Sequence, residues 1–217
     1  MCVIIYSVVV NNNNKITWSK ELAYASGLIA SDGNLCEPRK RIQFKTADIE
    51  LVENLKIALK VKTKTGVAKS ILGKNHYYII FTDAPLHDFL NSAGIHPRKS
   101  RTIKNVKVPN KFFRDFLRGL FDGDGTFYTF WDTRWPNSFG FQISFASASK
   151  DFIEWLKVKN STLFGVKGFI RKGKAVYNLR YVKGDTRKLF KTMYYDKHLL
   201  FLTRKREKMV KSFKKDE

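Results

Sequence analysis

The period of apolar positions changes along the chain and marks out its elements. Ser19 is a good helix N-cap, and Lys20–Asp32 reads as a helix that stops at Gly33. Alternation in Arg41-Ile42-Gln43-Phe44-Lys45 predicts a strand with one apolar and one polar face. Ile49, Val52, Leu55 and Leu59 then recur at helical spacing over Asp48–Leu59. Strand-like runs near Val67–Leu72 and His76–Thr82, broken by Gly73-Lys74-Asn75, precede a short helix over Pro85–Ala93. The pattern then returns, with strands near Thr126–Arg134, Phe139–Ala146, Val166–Lys172 and Ala175–Tyr181.

The residues themselves also repeat. ASGLIASDG (Ala25–Gly33) is answered by LRGLFDGDG (Leu117–Gly125), and IQFKTADIELVENLK (Ile42–Lys56) by ISFASASKDFIEWLK (Ile143–Lys157). GVAKSILGKNHYYII (Gly66–Ile80) is answered by GVKGFIRKGKAVYNL (Gly165–Leu179), and IHPRKS (Ile95–Ser100) by FLTRKR (Phe201–Arg206). Four matches in the same order make the chain two copies of one half. The expected divisions are a leader over 1–18, a first half over 19–95, a basic linker over 96–110 bounded by Pro97 and Pro109, and a second half over 111–217.

Composition narrows the partner. The chain has 217 residues, 41 Lys+Arg against 19 Asp+Glu, a net charge of +22 and 43% hydrophobic residues, enough to bury a core. So much self-repulsion is best tolerated on a polyanion, nucleic acid first and an anionic membrane surface second. No apolar run approaches the roughly 20 residues of a membrane span. MCVIIYSVVV at Met1–Val10 mimics a signal segment, but it lacks a basic flank and is followed by Asn11–Asn14. The expectation is therefore an intracellular protein whose leader is either an edge strand or unordered. Two cysteines (Cys2, Cys36) and four scattered histidines offer no zinc-type spacing.

The candidate chemistry lies in the two matched helices. Small residues recur four apart near their ends, Gly27 and Ser31 in one, Gly119 and Gly123 in the other, and allow two backbones to approach closely. Each helix closes in Asp-Gly, so side-by-side packing would bring Asp32 and Asp124 together. Two carboxylates at negative helix ends repel each other and the helix dipoles unless a cation lies between them, and hard oxygen ligands select Mg²⁺ or a similar ion. For one Asp-Gly alone, a solvated turn is the simpler reading.

ASGLIASDG and LRGLFDGDG resemble the two signature motifs of the LAGLIDADG homing endonucleases in their single-chain form. The resemblance covers Ser19–Lys215. The second copy is the closer; the first has Ala25-Ser26 for the opening Leu-Ala and Ala30 for the first Asp, where the second keeps Asp122. The resemblance implies an α+β fold of two pseudo-symmetric αββαββα-type half-domains, with the motif helices packed at the centre of a saddle-shaped DNA-binding surface. It implies metal binding by Asp32 and Asp124 and by the backbone carbonyls of Ser31 and Gly123. Mg²⁺ or Mn²⁺ would support cleavage and Ca²⁺ binding alone. Arg98-Lys99 and Arg204-Lys205 fall at one place in each half, and Lys99 and Lys205 match the family's lysine near the reacting phosphate; the alternative is a phosphate-binding or solvated cluster.

Alternation predicts a DNA face with Arg39, Arg41, Gln43 and Lys45 in the first half. In the second it predicts Tyr128, Arg134, Gln142, Ser144, Lys167, Arg171, Asn178 and Arg180. Trp131, Trp135, Phe130 and their neighbours read as core or hairpin packing rather than as a base-stacking platform. The resulting expectation is a monomeric, site-specific endonuclease for double-stranded DNA with a long asymmetric site, and the resemblance implies cuts that leave short 3′ overhangs. Such enzymes act in the mobility of a host intron or intein, in a prokaryotic cytoplasm or an organelle matrix. The competing reading is a non-enzymatic maturase that binds intron RNA.

Overall fold

The computed structural model describes residues 16–133 and 138–216, which hold seven α-helices and eight strands. The first half runs α1 (Lys20–Asp32), β1 (Gly33–Cys36), β2 (Arg41–Thr46), α2 (Ile49–Leu59), β3 (Gly66–Lys69), β4 (Asn75–Thr82) and α3 (Ala84–Ser92). The second runs α4 (Phe113–Asp124), β5 (Thr126–Trp131), β6 (Phe139–Ser147), α5 (Lys150–Phe164), β7 (Phe169–Lys172), β8 (Tyr177–Val182) and α6 (Lys183–Met193), followed by α7 (Thr203–Lys215). Each half thus has the αββαββα order, and the class is α+β.

Local chemistry sets the boundaries. Ser19 Oγ accepts from the Leu22 N–H at 3.1 Å, Asp83 Oδ1 from the Leu86 N–H at 2.9 Å and Ser149 Oγ from the Phe152 N–H at 3.3 Å. Gly165 closes α5 in the left-handed region, where a side chain would be strained. Both sheets are antiparallel and share one topology, β1-β2-β4-β3 and β5-β6-β8-β7.

Several strand bounds differ from expectation, and β3 ends at Lys69 rather than near Leu72 because the chain turns at Ile71–Gly73. β1 lacks the length to show alternation, and it forms because it pairs with β2 from Gly33↔Phe44 to Cys36↔Arg41. β5 is described over Thr126–Trp131, and Arg134 and Trp135 lie outside the described residues. β7 begins at Phe169 rather than at Val166. The Lys167 N–H donates to Asp185 Oδ2 at 2.7 Å, which ties this stretch to the start of α6 instead of to the ladder.

The chain divides into two compact units, Met1–Lys99 with Val106–Gly123, and Ser100–Asn105 with Asp124–Glu217. In the first, Ile42, Phe44, Ile79 and Phe81 form the inner face of the sheet and are buried along with Leu51, Val52 and Leu55 of α2. In the second, the core is aromatic. Phe141 and Phe213 lie 5.0 Å apart and Phe190 and Phe213 5.1 Å, an arrangement that adds to area burial. Among the described residues, no helix is long and apolar enough to cross a membrane.

Candidate functional site

The first unit contains α1 and the turns of α4 up to Gly123, packed backbone against backbone. A Cβ on Gly27 would overlap the Phe116 carbonyl oxygen and stand 2.7 Å from the Leu120 nitrogen. One on Gly119 would overlap the Tyr24 carbonyl oxygen. Only glycine fits at either place. Further along, a Cβ on Gly123 would overlap Ser31 Oγ and stand 3.0 Å from Asp32 Oδ2, so the half-buried Asp32 abuts the residue that precedes Asp124. Asp124 is exposed and is the last residue of α4. The Ser31 hydroxyl donates back to the Leu28 carbonyl at 2.9 Å, which leaves its own carbonyl as the donor atom of interest.

A lysine attends each motif. Lys99, 5% exposed in a 3-10 turn, donates its ammonium to the Gly33 carbonyl. Lys205, in the first turn of α7, donates to the Gly125 carbonyl at 2.6 Å. In each case the acceptor is the glycine directly after the motif aspartate, so the cationic group is held one residue from that carboxylate. Lys208 extends the pattern, donating to the Phe127 carbonyl at 3.1 Å.

Behind the glycine contacts lies a buried polar network that sequence reasoning missed. The Tyr24 hydroxyl of α1 donates to Asp122 Oδ2 of α4 at 3.0 Å. Arg118 is salt-bridged to Asp115 at 2.8 Å, with both side chains buried, and its guanidinium sits 5.0 Å from the Tyr24 ring centroid. Burial first, and then the Asp122 carboxylate, push the Tyr24 phenol well above its ordinary value. The signal available in sequence was Asp122 itself, an acid at a position where the other motif has Ala30.

The sheets expose one face each. Arg41, Gln43 and Lys45 alternate outward on β2 and pair with Thr82, Ile80 and Tyr78 on β4; Arg39 is exposed in the turn before β2. On the second sheet, Tyr128 pairs with Gln142, Ser144 with Arg180, and Arg171 with Asn178, all on one face, but Ser144 is buried beneath its neighbours at 6% exposure and does not reach the surface as expected. The Arg180 guanidinium lies 5.9 Å from the Tyr128 ring centroid. Lys167 is the exception, exposed but ahead of the strand and not on its face. Trp131 packs at 5.2 Å against Phe139 and carries the Lys215 ammonium at 4.9 Å, so it serves the hairpin and α7.

Among the described residues, no three His, Cys, Asp or Glu side chains gather as a metal cluster. The donors the motifs offer are carboxylates and backbone carbonyls, hard oxygens that suit Mg²⁺, Mn²⁺ or Ca²⁺ rather than zinc. The absence of a side chain on Gly123 fits such a group, because it lets the Asp32 carboxylate and the Ser31 residue come up against the end of α4.

Two motif helices in backbone contact, each leading into a four-stranded sheet of the same strand order, can be set beside known proteins. Residues 112–194 match the LAGLIDADG-like domain. That match lies within the second half of the chain, from the end of the linker to α6. The homing endonuclease I-WcaI bound to its DNA recognition sequence shares the fold at TM-score 0.61 and 13% identity, over 91% of this chain and 89% of that one. I-DmoI in complex with DNA and Mn matches at TM-score 0.53 and 17% identity, over 83% and 98%, and I-DmoI with DNA and Ca also matches. Full-length DUF199/WhiA from Thermatoga maritima matches at TM-score 0.58 and 14% identity, over 94% of this chain and 63% of that one. At these identities the likeness is one of fold. No curated protein matches the sequence.

Proposed function

We propose that the protein is a site-specific endonuclease that hydrolyses both strands of a double-stranded DNA target with a divalent cation. The observation that carries the reading is the matched pair of motif ends, each an aspartate followed by a glycine whose carbonyl binds a lysine ammonium. A pure binding scaffold has no need of two such arrangements. The fold alone does not choose the activity, since it also serves as a domain of DUF199/WhiA.

In this reading Asp32 and Asp124, with the carbonyls of Ser31 and Gly123, hold Mg²⁺ or Mn²⁺. When bound, the metal supplies an activated water and stabilises charge on the leaving oxygen. Lys99 and Lys205, fixed beside the acids, neutralise charge that builds on the phosphate. The open sheet faces bind the major groove: Arg39, Arg41, Gln43 and Lys45 from one half, and Tyr128, Gln142, Arg171, Asn178 and Arg180 from the other. The net charge of +22 makes binding strongly salt-dependent.

The test is cleavage of a randomised duplex library with Mg²⁺, followed by sequencing of the ends. Expected are discrete double-strand cuts at one long asymmetric site, abolished in Asp32→Asn and Asp124→Asn while binding persists, with Ca²⁺ supporting binding alone. DNA bound but never cut would overturn the nuclease reading and make structured intron RNA the substrate to try.

A further inference from the structure

One row of residues across each open sheet occupies the same register in the two halves but differs in chemistry. In the first sheet, Gln43 lies between Asn34 on β1 and Ile80 on β4. In the second, Ser144 lies between Thr126 on β5 and Arg180 on β8. Ile80 is 40% exposed in the middle of a face that otherwise shows Arg41, Gln43 and Lys45. An aliphatic side chain there adds nothing to the core, which lies on the other face with Ile79 and Phe81. Directly opposed residues have Cβ atoms about 5 Å apart, close enough to meet one base pair or two successive ones.

We propose that this row sets a base preference in each half-site: Gln43 and Ile80 read an A·T pair, and Arg180 reads a G·C pair. The proposal rests on the DNA-binding reading above. In the major groove, glutamine pairs bidentately with adenine N6 and N7, and an aliphatic group contacts the thymine methyl. The Asn34 amide already donates to Cys36 Sγ at 3.2 Å, so Gln43 and Ile80 are the readers of the row. Arginine pairs bidentately with guanine O6 and N7, and the Tyr128 ring under the Arg180 guanidinium keeps it on the face. Ser144 is only 6% exposed and Thr126 accepts either base, so the choice falls to Arg180.

The test is selection of binding sites from randomised duplex DNA in Ca²⁺ buffer, in which DNA is bound and not cut, using the full chain and the double variant Gln43→Ser/Ile80→Arg. One A·T position in one half-site should become G·C in the variant, with the other half-site unchanged. In the unaltered protein, uracil in place of that thymine should weaken binding about fourfold, the worth of one buried methyl, and should have no effect on Ile80→Ala. A discrete site that is unchanged in the double variant, or a wild-type protein indifferent to uracil throughout its site, would overturn the base assignment and leave DNA binding standing. The absence of any preferred duplex site would overturn both.

Discussion

The two motif helices contribute the same steric element and different polar ones. Gly27 of α1 and Gly119 of α4 each meet a backbone carbonyl of the other helix, so the close approach is built equally from both sides. The buried charges are not shared in this way. α4 supplies Asp115, Arg118 and Asp122, all at most 2% exposed, whereas α1 supplies one phenol, Tyr24. At the position of Asp122, two residues before the closing acid, α1 has Ala30. A repeat that folds as two like halves thus needs its glycines twice but its buried acid once.

The most severe way to break the symmetric part is to add one methyl. Gly119→Ala or Gly27→Ala pushes a Cβ into backbone of the facing helix, which cannot rotate away as a side chain can. Either change should cost on the order of 3 kcal/mol, a large share of a typical domain's stability. Thermal or urea unfolding reads this directly. Gly184→Ala in α6, where nothing lies within 4 Å, is the control and should be neutral or stabilising by up to about 1 kcal/mol. Equal behaviour of Gly119→Ala and Gly184→Ala would mean that the helices are not in backbone contact.

The one-sided part breaks more gently. Tyr24→Phe removes the hydroxyl that satisfies Asp122 and leaves a buried carboxylate short of a donor, at about 1–3 kcal/mol. Asp122→Ala gives the second motif the residue of the first. If the two groups act as a pair, the double variant loses less than the sum of the single losses, with a coupling of about 0.5–3 kcal/mol. Additivity would show that the phenol and the acid are stabilised separately, Tyr24 by Asn54 and Arg118 among others.

This division also explains what the sequence made legible. Spacing was enough for the glycine notch, because i,i+4 small residues and a terminal Asp-Gly mark a helix face wherever they stand. Alternation was enough for Arg41, Gln43 and Lys45, because a strand with one buried face has no other register. Lys167 has the right parity for the β7 face, but a backbone bond to Asp185 takes it out of the ladder, and such a bond leaves no periodic trace. Tyr24, Asp115 and Arg118 were invisible for a related reason. A polar residue inside a helix reads as solvent-facing until the partner from another helix is known. Ile80 was missed because an apolar residue in a strand is read as core, and only the pairing Gln43↔Ile80 puts it on the outer face.

The smallest effect compares Tyr24 with Tyr181, a fully buried phenol in the second unit. Burial pushes both above the ordinary phenol value near 10, but only Tyr24 has a carboxylate bonded to it, whereas Tyr181 accepts from Asn160 at 2.9 Å. The stability held in these neutral phenols is intact below about pH 10. It is lost as pH rises further, because the unfolded chain releases those protons first. Ring NMR through an alkaline titration should find both phenols protonated until the fold opens. In Asp122→Ala the ionisation of Tyr24 should move to lower pH, while burial still keeps it above the ordinary value and Tyr181 stays where it was. Equal movement of the two tyrosines would trace the change to loosening of the whole protein, and no movement of Tyr24 would remove Asp122 from the account of that seam.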